Sequence, residues 1–169
     1  QGIGWWVLGF TSMAVAYLFL FLRDLVPIRL ITVIAANALI LGGPIFTYIG
    51  VMRFLERHEN RGIIVSILAV FTAAFLYYTY VEDNITLRTG IVYGAVALVS
   101  FLTAQGLFLN RSPAITTSAY LNTALFLLNA CFFAFRALVA LTVDPVSSLF
   151  SPTMMQSTSF LFLFVEGIL

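Results

Sequence analysis

Asn122, Asn129 and Arg136 stand seven residues apart inside one apolar run, "YLNTALFLLNACFFAFRALVAL". Seven residues turn an α-helix by about 700°, close to two full turns. The three side chains therefore share one face, drifting by about 20° per step. Two amides and a guanidinium in line can hydrogen-bond across a helix interface or line a ligand pocket. A lipid-facing stripe of this kind would be unfavourable, so the face is expected to look inward. Arg136 lies near the end of its run, with Asp144 beyond it, and its guanidinium can alternatively snorkel outward.

Other polar groups inside apolar runs extend the candidate set. Asn37 is a buried-amide candidate in "ANALILGGPIFTYIG". In the same run Pro44 removes a backbone donor and clashes one turn earlier. Gly42 and Gly43 permit bending or close helix approach. Gly42, Gly43 and Pro44 are thus hinge candidates, and the freed carbonyls can line a cavity. Gln105, with Ser100 and Thr103 nearby, is expected to add an inward polar patch. Glu166 in "FLFLFVEGIL" is a candidate for relaying a signal to whatever follows the last helix, or for a structural group near the interface. "MMQSTS" at 154–159 reads as a mouth for an apolar ligand or a plain helix start.

Several chemistries are excluded or disfavoured. All eight basic residues are Arg, which removes a lysine Schiff base and a Walker A lysine. His58, the single histidine, lies in a charged loop and lacks co-ligands at metal spacing. No metal site, cofactor or catalytic group is expected. Cys131 reads as a small core residue and cannot form an intrachain disulfide. Asn84 and Asn110 begin sequons that fall on opposite sides of the expected topology. With net charge +1, nothing favours nucleic acid.

The elements that must position these residues follow from hydropathy. The chain is 62% hydrophobic and 9% charged, against about 45–50% and about 25% in soluble domains, and its mean hydropathy is +1.06. A membrane helix takes about 20 mostly apolar residues. Six segments qualify: 3–22, 30–54, 62–81, 90–109, 119–143 and 153–169. Alternating barrel strands are absent from the pattern. The sequence predicts an all-α, polytopic membrane helix bundle, a single domain over 1–169, with short connections and antiparallel neighbours. Arg53, Arg57, Arg61 and Arg111 fall on one side, which the positive-inside rule favours as cytoplasmic. Both ends of the chain would then be cytoplasmic. Trp5, Trp6 and Tyr120 sit at that interface, and Tyr77, Tyr78 and Tyr80 at the other. Starting without Met and stopping inside an apolar run, the chain is expected to be part of a longer protein. A seventh span before Gln1 would fit.

The stretches "WWVLGF", "LFLR", "ANALILGGPIFTYIGVMRFLER" and "FRALVAL" resemble the multi-helix, seven-span membrane sensor region found ahead of GGDEF diguanylate cyclase domains, and of some kinase modules, in bacteria. Gly50 and Phe54 stand where that family has a Gly-x-x-x-Phe exit. The resemblance covers most of the chain. It implies a sensory input region in the bacterial inner membrane, followed by a cytoplasmic output domain. No GGDEF motif is present in these residues. The expected function is a signal-binding domain, acting as a homodimer in the lipid bilayer. Its ligand would be a lipid or other apolar small molecule held by Asn37, Gln105, Asn122, Asn129 and Arg136. The alternatives are a transporter or channel subunit, which calls for paired broken helices, and a structural membrane subunit.

Overall fold

The computed structural model describes residues 2–22, 30–110 and 116–142. Among them the chain is helical, with no strand. Helix α1 spans Ile3–Phe21. Helix α2 opens with a π-helical turn, Leu30–Ala35, and continues as α-helix through Ala36–Phe54. Helices α3, α4 and α5 span Arg61–Tyr80, Ile85–Leu109 and Thr116–Thr142. Among the described residues five helices are long and apolar enough to cross a membrane. Their outer faces agree with that length. Phe21, Val70 and Phe135 are among many large apolar side chains left exposed, far beyond the small apolar patches of a soluble monomer. The sixth segment, 153–169, and Glu166 within it lie outside the described residues, as does the 154–159 stretch.

Local chemistry sets the helix ends. Asn60 caps α3, its Oδ1 accepting from the Ile63 N–H at 3.2 Å. Asn84 caps α4 in the same way, accepting from Leu87 N–H at 3.1 Å. This cap starts α4 five residues before the expected Gly90. Arg88, inside that added turn, is neutralised by Asp83 at 3.1 Å. Helix α2 ends in a Schellman motif. Arg57 N–H donates to the Met52 carbonyl and Glu56 N–H to the Arg53 carbonyl, with Glu56 left-handed at φ 56°. Glycine usually holds that position, because a Cβ there is crowded.

Packing orders the helices as a row, α1–α2–α4–α5, with α3 laid on α4. Between α1 and α2 the seam is made of small residues. Gly2, Gly9 and Ala16 recur every seven residues on α1, and Ala36, Gly43 and Gly50 do so on α2. Run antiparallel, the two sets meet pairwise. A Cβ on Gly9 would lie 3.0 Å from the Gly43 carbonyl oxygen, and one on Gly43 would lie 2.8 Å from Met13 Sδ. Ala16 and Ala36 are both fully buried. Such approach is how membrane helices gain dispersion energy without a hydrophobic driving force. Ser12 Oγ donates across the seam to the Leu39 carbonyl at 2.8 Å. Gly42 and Gly43 therefore form part of a contact surface, and α2 runs through Pro44 as one helix.

Helices α4 and α5 repeat the device. Gly90, Ala97 and Ala104 on α4, and Thr123, Ala130 and Ala137 on α5, each recur at seven-residue spacing. All but Ala137 are buried, and Ala137 is half-buried. The joint between α2 and α4 is built from larger side chains. Leu41, Ile45, Tyr48 and Met52 meet Val92 and Val99, and Phe71 and Phe75 of α3 close the cluster.

Candidate functional site

Arg136 is buried, with 9% of its surface exposed, although it lies six residues before the end of α5. At 1.5 Å per residue that places it about 9 Å inside the helix. Its long side chain does not run out to the end. Nη2 donates to the Tyr93 hydroxyl of α4 at 2.8 Å. The guanidinium also lies 4.5 Å from the Tyr93 ring centre and 5.5 Å from that of Phe132. Tyr93 in turn packs on Phe133, ring centres 5.8 Å apart. A guanidinium is planar and weakly hydrated, so aromatic faces and a phenol oxygen can stand in for part of its water shell.

The antiparallel register extends this pair into a column. Seven residues along each helix from Tyr93 and Arg136 come Ser100 and Asn129. Both are buried. Thr103, also buried, returns its hydroxyl to the Val99 carbonyl at 2.9 Å. Asn122, the next residue of the α5 stripe, is half-buried. Its amide donates to the Ser118 carbonyl of its own helix at 2.9 Å. The stripe is thus buried at Arg136 and Asn129 and reaches the edge of the interface at Asn122, as a drift of about 20° per step allows.

Two expectations need correction or relocation. Gln105 is exposed and does not join the inward patch. It lies two residues from Thr103, about 200° around the helix, so burial of Thr103 turns Gln105 outward. Asn37 is half-buried, and its Nδ2 donates to the Val33 carbonyl at 2.7 Å. It thereby services the π-helical turn at the start of α2 rather than the α4–α5 column. Gly42 and Gly43 lie on the far side of α2, against Ser12 and Met13 of α1, and Pro44 follows them within the same unbroken helix. Tyr93 was not singled out from the sequence. The one available signal was a tyrosine set in an apolar run, at a depth that matches Arg136.

A second polar cluster sits at the opposite end of the bundle, where α1 begins and α2 ends. Glu59 Oε1 accepts from Arg53 Nη2 and from Arg61 Nε, each at 3.3 Å. The Arg53 guanidinium lies 4.6 Å from the Trp5 ring centre. The backbone N–H of Glu59, then the Arg53 and Arg61 guanidiniums, hold its carboxyl below the usual range, against the opposing cost of burial. Among the described residues no group of His, Cys, Asp and Glu could hold a metal ion.

Neither cluster comes with a precedent: no family model, no curated protein and no solved structure matches the chain.

Proposed function

We propose that this chain is a membrane-embedded sensory or regulatory input domain. It binds a signal molecule, a lipid or other apolar small molecule, beside the α4–α5 column. It relays occupancy as a change in helix packing to a cytoplasmic output domain, a diguanylate cyclase or kinase module, within a homodimer. The observation that carries this reading is Arg136, buried at membrane depth and bonded to Tyr93 across a helix interface. An arginine at the centre of a membrane helix costs roughly 2.5–3.5 kcal/mol on insertion scales, less toward its end, and intramembrane charges mark functional sites. A ligand shifts the packing only through its differential affinity for two arrangements. The α2–α4 joint, built of larger side chains between two small-residue seams, is where such arrangements would differ.

The test uses the full-length protein with whatever reading frame follows Leu169. Tyr93→Phe removes the hydroxyl and keeps the ring, and Arg136→Met keeps volume without charge. Both should fold and shift the signalling output. Unchanged output in a folded Arg136→Met protein would sink the proposal, as would a stop codon or further spans in place of an output module. A transporter ranks lower. Its fold would need helix breaks paired between two halves, and among the described residues the π-helical turn and Pro44 both fall on α2.

A further inference from the structure

The connector between α2 and α3 carries a charge surplus that internal pairing does not consume. Glu59 is taken up by Arg53 and Arg61, its side chain only 8% exposed. One carboxylate thus serves two guanidiniums. Arg61 engages it through Nε alone, and the Arg61 side chain remains 81% exposed. Arg57 and His58 are exposed as well, with Glu56 the one exposed acid of the connector. The level of this surface is marked by tryptophan. Trp5 stacks on Arg53 and Trp6 lies 5.8 Å from Phe54, the placement that indole rings favour at a membrane–water interface.

Below Arg61 the surface turns apolar. Val65 and Leu68, four and seven residues on, share its face of α3 and are 63% and 40% exposed. A basic group at headgroup level above an open apolar track matches one chemistry, a phosphate joined to acyl chains. We infer that Arg57 and Arg61 bind the headgroup of an anionic phospholipid, whose acyl chain lies along Val65 and Leu68. Arg53 is held back by Trp5 and Glu59 and serves as a positioning residue for Arg61. Among the described residues at the other end, the α3–α4 connector lacks this balance. Between α3 and α4, Arg88 is paired with Asp83, beside the exposed Glu82.

The whole chain, reconstituted in nanodiscs holding phosphatidylglycerol and phosphatidylcholine in equal amounts, tests this by native mass spectrometry of retained lipid. Wild type should keep phosphatidylglycerol in preference. Arg57→Gln should weaken retention about fivefold, and Arg57→Gln with Arg61→Gln about 25-fold. Arg88→Gln should change nothing. The ion pairs of Glu59 run to Arg53 and Arg61 rather than to Arg57, so the Arg57 single variant remains decisive if the Arg61 change loosens the connector. Equal retention by wild type and Arg57→Gln, or no preference for the anionic lipid, overturns the inference. Displacement of the lipid by millimolar inorganic phosphate overturns it too, as that marks a free-phosphate site.

Discussion

Replacing Gly9 with alanine measures the α1–α2 seam directly. The new methyl carbon would lie 3.0 Å from the Gly43 carbonyl oxygen and 3.0 Å from Thr47 Oγ1. Neither neighbour can swing aside. One is backbone, and the other is tied to that same carbonyl at 3.0 Å. The helices must therefore part by roughly 0.5 Å, which forfeits a quarter to a half of each dispersion contact across the seam. With about 20 such contacts near 0.15 kcal/mol each, the loss is roughly 1 kcal/mol. Stretching the Ser12–Leu39 hydrogen bond adds about 0.5 kcal/mol. Against this, alanine gains up to about 1 kcal/mol of helix propensity. Gly9→Ala should thus come out net destabilising by roughly 0.5 kcal/mol. Gly4→Ala and Gly94→Ala meet nothing within 4 Å and should be neutral or stabilising by up to about 1 kcal/mol. Reversible unfolding in mixed micelles resolves a gap of that size. If Gly9→Ala is as stable as Gly4→Ala, the seam is not the close contact described above.

Two further outcomes follow from the α2–α3 connector. Glu56 occupies a left-handed position that costs a side chain about 1–2 kcal/mol. Glu56→Gly should stabilise by roughly 0.5–1 kcal/mol after the entropy of the freer unfolded chain is subtracted, read as a higher midpoint in the same unfolding assay. Glu59 has a folded pKa below its ordinary 4.5. Its contribution is therefore complete above about that value and fades as pH falls through the depressed one. Wild type should lose about 0.2–1 kcal/mol relative to Glu59→Gln between pH 6 and pH 3, and a pH-independent difference between the two would refute the pairing.

Long apolar runs made the five spans legible, because length and hydropathy alone decide what crosses a bilayer. The start of α4 was not, since Thr86 and Arg88 read as loop until Asn84 is seen to cap the helix and Asp83 to neutralise the arginine. Spacing correctly turned Arg136 and Asn129 inward. It could not name Tyr93, whose partner lies 43 residues away in the chain. Gln105 was misplaced because sequence proximity to Thr103 was taken for a shared face, although a helix reverses direction in about two residues. The seven-residue glycine and alanine ladders were present in the sequence throughout. They carry information only in pairs, and which helix pairs with which is a property of the fold.

Those ladders also bear on how the chain is made. The bond that ties α1 to α2 joins residues only 27 positions apart, and everything needed to close that seam has been synthesised before α3 begins. The α4–α5 seam is equally self-sufficient. Each hairpin can leave the insertion machinery with its small-residue seam already closed. Joining the two hairpins along α2 and α4 is then a separate step.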